Sequence, residues 1–230
     1  MRVMTVVIAA LVVMSVSSVA QKKKVELKTQ KEKASYGIGL NIGKNFKEQF
    51  PDVDVDAMVQ GFKDALAGAK PEIDEAELTT VMRNFQEEMQ KKNAERMTEL
   101  STKNEKEGEK FLAENKKKKG VITLPSGLQY KVIKEGTGPK PKVTDTVTCN
   151  YWGKTLEGKE FDSSYKRGEP AQFPLTRVIP GWTEGLQLMP VGSKYEFFIP
   201  SNLAYGPRGA GADIGPNATL IFEVELLGIK

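Results

Sequence analysis

Six short segments in the C-terminal half together supply aromatic rings, carboxylates and hydroxyl groups. The sequence contains no histidine and a single cysteine, Cys149. Histidine-dependent acid–base catalysis, serine–histidine triads, histidine metal sites and intrachain disulfides are therefore excluded. Any reaction at these segments must use carboxylates, lysine, tyrosine or hydroxyl groups, or must proceed without proton transfer. The segments are residues 151–153, 158–164, 178–182, 189–192, 204–206 and 220–226.

In this order and at this spacing, the segments resemble the FKBP-type peptidyl-prolyl cis/trans isomerase domain, over about residues 124 to 229. The resemblance implies an antiparallel β-sheet wrapped around one short helix, with an apolar pocket and neither a cofactor nor a metal ion. The catalytic positions that it implies are Tyr151, Phe161, Asp162, Ile179, Trp182 and Tyr205, and the substrate-binding positions are Phe173, Val178, Ile214 and Phe222.

Several of these positions have an alternative interpretation. By the resemblance Trp182 is the pocket floor, but large buried aromatic residues are more often ordinary core residues, and the same applies to Phe222. The resemblance also implies that the Tyr205 hydroxyl and the Ile179 backbone N–H reach carbonyl groups of a ligand. Asp162 is either a polar organiser of the pocket or a cap for the turn that follows it.

Two regions depart from the pattern of the family. Position 171 is Ala171, where many members have an aromatic residue, and residues 207–213 lack the aromatic or histidine that some members carry. We expect these departures to affect substrate preference rather than the basic activity.

Rotation about an X-Pro bond suits a site without histidine. The barrier of ~18–20 kcal/mol arises because rotation breaks amide resonance. No bond is made and no proton must leave, so preferential binding of the twisted amide is sufficient for catalysis. A twisted amide has less charge separation than a planar one, and an apolar, water-poor pocket therefore favours it.

The N-terminal half has the periodicity of helices. Apolar residues recur at three- to four-residue spacing over residues 34–50 and again over 55–66, where Gly68 is a suitable stop. A third helix is predicted from Asp74 to about Lys119, with an apolar stripe at Leu78, Val81, Met82, Phe85 and Met89. Residues 101–110 have no apolar side chain, so we expect this part of the helix to be solvated. The expected fold class is α+β.

This half resembles the macrophage infectivity potentiator (Mip) group of exported isomerases. The resemblance implies a homodimer held by the N-terminal helices, with two catalytic domains kept apart. A monomeric three-helix arm is the alternative. The predicted organisation is a signal peptide at residues 1–20, a dimerisation region at 21–73, a connecting helix at 74–119 and the isomerase domain at 120–230.

Residues 1–20 have the pattern of a signal peptide. Arg2 precedes an apolar run over residues 3–14, and small residues end at Ala20. An uncleaved membrane anchor is the alternative, although the run is short for a bilayer span. We therefore expect an exported protein, periplasmic or secreted to the cell surface, without a stable membrane span.

The formal net charge of +4 is too mild to predict nucleic acid as a partner. The partners that the resemblance implies are proline-containing, unfolded or partly folded exported proteins and macrolide inhibitors of the tacrolimus type. We expect isomerase activity with chaperone activity beside it. The competing hypothesis is a catalytically silent dimeric holdase or adhesin-like binding protein, in which the pocket residues should have been lost.

Overall fold

The computed structural model describes residues 26–49 and 53–230, which form two compact units divided between Glu72 and Ile73. The predicted signal peptide lies outside the described residues. Within the described ranges, no helix has the length and apolar character that crossing a membrane requires.

The first unit contains helices α1 (Gln30–Gln49) and α2 (Val55–Ala67). Helix α1 begins four residues before the predicted start at Ala34. The reason is a capping box, in which the Glu32 N–H donates to Thr29 Oγ1 at 3.2 Å and the Thr29 N–H donates to Glu32 Oε2 at 2.7 Å. Helix α2 ends at Gly68, whose φ of 64° is left-handed, and this stop is confirmed.

The second unit opens with the long helix α3 (Glu75–Asn115), whose 41 residues give a length of about 62 Å. Asp74 caps its start, because Asp74 Oδ1 accepts a hydrogen bond from the Glu77 N–H at 2.8 Å. The helix ends earlier than the predicted Lys119. The Leu112 carbonyl oxygen accepts from the Lys116 N–H at 3.1 Å and also from Gln129 Nε2 at 2.9 Å, so a side chain of the sheet is bonded to the last turn of the helix.

The expected solvation of residues 101–110 is wrong for one face of α3. Gly108 is buried, and Asn104 and Ser101 are half-buried against the sheet domain. The prediction relied on apolar side chains as the signal of packing, whereas this contact consists of small and polar residues.

The rest of the unit is an antiparallel sheet in the order β1-β2-β6-β7-β3-β4, with β5 paired to β3. Two short helices, α4 (Ser164–Arg167) and α5 (Pro180–Leu186), complete it. The strands are β1 (Val121–Thr123), β2 (Gln129–Lys134), β3 (Thr146–Thr155), β4 (Glu160–Ser163), β5 (Ala171–Pro174), β6 (Lys194–Ile199) and β7 (Leu220–Ile229).

The core lies between the sheet and helix α5. Burial alternates along β3, so that every second residue from Val147 to Thr155 faces inward. Trp182 and Leu186 of α5 are buried against these residues. The predicted α+β class, with a helical N-terminal region and an antiparallel sheet around a short helix, is confirmed.

Candidate active site

Trp182 is the centre of a cluster of perpendicular aromatic rings. Helix α5 begins at Pro180, a residue suited to the first helical turn, and this brings Trp182 over the sheet. The indole meets Tyr151, Phe173 and Phe222 with centroid distances of 5.1, 5.4 and 5.2 Å and interplanar angles of 89°, 87° and 78°. Edge-to-face contacts of this kind are favourable. The structure therefore brings together one residue from each of β3, β5, α5 and β7.

The buried indole nitrogen of Trp182 has no hydrogen-bond partner among the described residues. The side chain is only 4% exposed, so its N–H is a polar group in apolar surroundings. Buried donors without a partner are rare and costly, and they need an explanation such as a functional role.

Gly153 allows a second aromatic pair to complete the cluster. Phe161 and Phe222 meet at 5.4 Å and 82°. A Cβ atom at position 153 would lie 2.6 Å from the Phe222 ring and 2.7 Å from the Phe161 ring. Only glycine therefore lets both rings reach the sheet at this point of β3.

Asp162, Tyr151 and Arg167 form a polar group beside the cluster. The Tyr151 hydroxyl donates to Asp162 Oδ2 at 2.5 Å, and Arg167 Nη2 donates to the Tyr151 hydroxyl oxygen at 2.8 Å. Arg167 Nη1 also pairs with Asp162 Oδ1, and the guanidinium carbon lies 5.4 Å from the centroid of the Tyr151 ring. Asp162 thus contacts the pocket side chains, while Ser163 accepts from the Lys166 N–H and caps α4.

Burial and, next, the hydrogen bond to the Asp162 carboxylate together raise the pKa of Tyr151 from 10.0 to about 12, against the opposing effect of Arg167. The Tyr151 hydroxyl therefore remains protonated throughout the neutral range and keeps its hydrogen bond to Asp162.

The remaining predicted residues lie around the cluster. Val178 and Ile179 precede α5 and are half-buried, and Ile214 is 7% exposed in the same core. The Ile179 backbone N–H makes no hydrogen bond within the described part of the chain, while its carbonyl accepts from Trp182 and Thr183. Tyr205 is 40% exposed, and partial burial raises the pKa of its hydroxyl, with the Asp162 charge adding to the effect.

Arg167 is the residue of this site that the sequence analysis missed. It follows Asp162 by five residues and lies at the end of a four-residue helix. An arginine at that distance from a carboxylate carries no distinctive pattern, because the sharp turn at α4 alone brings the two side chains together.

The arrangement offers a largely buried aromatic surface with hydrogen-bond donors at its edge. No cluster of three or more potential metal ligands occurs in the ranges that the structure describes.

Comparison with known proteins agrees with this geometry. Residues 31–132 match the domain amino-terminal to FKBP-type peptidyl-prolyl isomerases, and residues 138–227 match the FKBP-type peptidyl-prolyl cis-trans isomerase family. The chain therefore belongs to the FKBP-type peptidyl-prolyl cis/trans isomerases and is an enzyme of this type.

Its similar relatives match it over most of its length. The chain is 45% identical to the outer membrane protein MIP of Legionella longbeachae, over 99% of this chain and 98% of that protein. It is 42% identical to the isomerase Mip of Coxiella burnetii, over 89% of each chain. The crystal structure of FkpA from Escherichia coli superposes with a TM-score of 0.69 at 38% identity, covering 89% of this chain and 99% of that one. The predicted Mip-like family is confirmed.

Proposed function

We propose that the aromatic cluster around Trp182 is the site at which this enzyme rotates X-Pro bonds of exported proteins. The observation that carries this proposal is the set of three rings perpendicular to the Trp182 indole, with a hydrogen-bonded carboxylate beside them. The proline ring would pack on Trp182, between walls formed by Phe161, Phe173, Val178, Ile214 and Phe222.

Two donors at the edge of the cluster would hold the substrate. The Ile179 N–H, which has no partner within the described residues, would donate to a substrate carbonyl group, and the exposed Tyr205 hydroxyl would donate to another. Held at its ends, the peptide would rotate about the X-Pro bond inside the apolar walls. The walls stabilise the twisted amide because it is less polar than the planar one.

Asp162 would act as an organiser rather than as an acid or base. Its carboxylate is occupied by the Tyr151 hydroxyl and the Arg167 guanidinium, so both oxygens already have partners. We propose that this arrangement fixes the Tyr151 ring, and through it the Trp182 indole, in the orientation that receives proline.

The proposed location and the proposed substrates concern two different segments of the chain. We propose that residues 1–20 direct export and that residues 120–230 act on proline-containing, unfolded or partly folded proteins, with chaperone activity in addition. The similarity to a protein named outer membrane protein MIP supports an exported location. Macrolides of the tacrolimus type would compete for the same pocket.

A homodimer is the proposed assembly, held by residues 21–73 together with the first part of the connecting helix. Large apolar side chains of α1 and α2 are exposed, among them Tyr36 at 51%, Phe62 at 61% and Leu66 at 75%. Large apolar side chains exposed in this number are typical of an interface, and a two-fold symmetric dimer is the commonest way to cover them.

Isomerisation of a short X-Pro peptide tests the proposed site. We expect the wild-type chain to accelerate exchange and the macrolide to abolish the acceleration. Asp162→Asn, which keeps the shape but removes the charge, should lower kcat/KM, whereas Glu169→Gln on the exposed surface should leave it unchanged. Equal activity of Asp162→Asn and the wild type would show that the Asp162 carboxylate has no role in the site. Activity that the macrolide does not inhibit would contradict the pocket itself.

A further inference from the structure

The last turns of α3 contact the loop that precedes β7 through two side-chain amides. Asn104 Nδ2 donates to the Pro216 carbonyl oxygen at 2.8 Å, and Asn217 Nδ2 donates to Ser101 Oγ at 2.9 Å. Ser101 and Asn104 are three residues apart and therefore lie on one face of the helix. We call residues 215–219 the anchor segment.

Gly108 brings the helix backbone close to the same segment. It follows Asn104 by four residues and is buried, although it lies within a highly charged part of the helix. A Cβ atom at this position would lie 2.3 Å from Thr219 Oγ1. Glycine weakens a helix interior, so its presence here is explained by the close approach that it permits.

The end of α3 is held to the sheet by separate contacts. The Phe111 ring meets Phe198 of β6 at 5.8 Å, and Asn115 Nδ2 donates to Gln129 Oε1 at 3.0 Å. Because these contacts fix the helix on the sheet domain, the face formed by Ser101, Asn104 and Gly108 has a defined position relative to the anchor segment.

The anchor segment is joined directly to the proposed active site. The Asn217 N–H donates to the Gly206 carbonyl oxygen at 2.9 Å, one residue after Tyr205. Ile214 immediately precedes the segment, and Phe222 follows it in β7. Asn217 has a φ of 53°, a left-handed conformation that asparagine tolerates better than most residues. Asn217 thus bonds to α3 with its side chain and to the Tyr205 loop with its backbone.

We propose that Ser101, Asn104 and Gly108 of α3 are positioning residues of the isomerase, which act through the anchor segment on Tyr205 and Ile214. This proposal rests on the proposed function, in which those two residues line the substrate site. Its consequence is that the functional catalytic unit begins inside α3, ahead of the boundary at residue 120.

Gly108→Ala in the full chain tests the proposal, with Glu109→Ala on the exposed face as the matched control. We expect Gly108→Ala to lower kcat/KM for an X-Pro peptide by about two- to tenfold, the size typical of one lost neutral hydrogen bond. The methyl NMR signal of Ile214 should shift in this variant and not in the control. The double variant Gly108→Ala/Thr219→Ala removes the oxygen that the new methyl group would meet. It should restore most of the wild-type kcat/KM and return the Ile214 signal most of the way to its wild-type position.

Wild-type kcat/KM together with an unshifted Ile214 signal in Gly108→Ala overturns the proposal. A fall in kcat/KM that the double variant does not restore, with an unshifted Ile214 signal, also overturns it. If Gly108→Ala does not fold, Asn104→Ala takes its place, because it removes one hydrogen bond and adds no atoms. If Asn104→Ala has wild-type activity and an unshifted Ile214 signal, the proposal that α3 positions the anchor segment is overturned.

A failure of the proposed function would have a different signature. In that case Tyr205→Phe would retain wild-type activity, although Gly108→Ala would still shift the Ile214 signal. The position of the substrate site would then be wrong, and the link between α3 and the anchor segment would stand.

Discussion

The Trp182 indole stands at 89° to the Tyr151 ring, with the two centroids 5.1 Å apart. The Tyr151 hydroxyl in turn donates to Asp162. A single tyrosine therefore joins the floor of the aromatic cluster to the carboxylate beside it. Substitution of Asp162 should therefore alter the position of the Trp182 ring. Truncation of Trp182 itself should lower the stability of the protein as well as its activity.

Trp182→Ala should both destabilise and inactivate the enzyme. The side chain is 4% exposed and contacts three other rings, and truncation of such a residue typically costs ~3–5 kcal/mol. Urea unfolding should show this loss in the free energy of unfolding, and the peptide assay should show loss of isomerisation.

Tyr205→Phe should behave differently from Trp182→Ala. Tyr205 is 40% exposed, and only its hydroxyl is removed, so we expect unchanged unfolding with weaker macrolide binding in calorimetry. An equal loss of stability in both variants would show that the division between floor and edge is wrong.

Gly153→Ala should disturb the aromatic pair above β3. The added methyl group would meet the Phe161 and Phe222 rings well inside van der Waals contact, and overpacking of this kind typically costs ~1–3 kcal/mol. Thermal unfolding and macrolide affinity should both decrease. Gly228→Ala in β7 is the matched control, because a Cβ there meets nothing within 4 Å. Equal effects of the two substitutions would assign the loss to strand propensity instead.

Stability should decrease at alkaline pH. Burial raises the pKa of Tyr151 and of Tyr195 from 10.0 to about 12, and that of the Cys149 thiol from 9.0 to about 12. Between these values the unfolded chain loses protons that the folded chain keeps. The free energy of unfolding therefore decreases as the pH rises. The free energy of unfolding should change little between about pH 7 and about pH 9 and fall towards pH 12. Tyr151→Phe should reduce the slope, and a stability that is flat up to about pH 11 would contradict these shifts.

The chain without residues 1–20 should be a dimer in light scattering. Phe62→Glu places a charge on an exposed apolar face of α2 and should halve the mass. Gln60→Glu is also exposed, but it lies two residues before Phe62 and therefore on a different face of the helix, and it should leave the mass unchanged. A wild-type mass equal to that of the monomer would favour the three-helix arm.

The extent to which the sequence predicts the structure differs between local and long-range features. The caps at Asp74 and Gly68 were predictable because each depends on residues within one turn. The contact of Gly108 with Thr219 was not, because it joins residues 111 positions apart in sequence and uses no apolar side chain. From the sequence alone, a glycine in a charged helix is interpreted only as a residue that destabilises the helix. Its role in packing becomes visible when the surface opposite it is known.

The candidate site shows the same division. The aromatic residues were found because their types and spacing follow a family pattern, and the structure brings Tyr151, Phe173, Trp182 and Phe222 into one cluster. Arg167 was missed because its role depends on the direction in which the chain turns after β4. Patterns in sequence thus identify the apolar surface, while the polar partners require three-dimensional geometry.

The proposed pocket accelerates rotation about the X-Pro bond by its apolar environment, without proton transfer. The measurement that tests it most directly is kcat/KM for an X-Pro peptide in H2O and in D2O, from about pH 6 to about pH 9. With no histidine in the sequence and the pKa of Tyr151 raised to about 12, we predict a flat profile and equal rate constants in the two solvents. A bell-shaped profile, or a rate about twofold or more slower in D2O, would contradict the account.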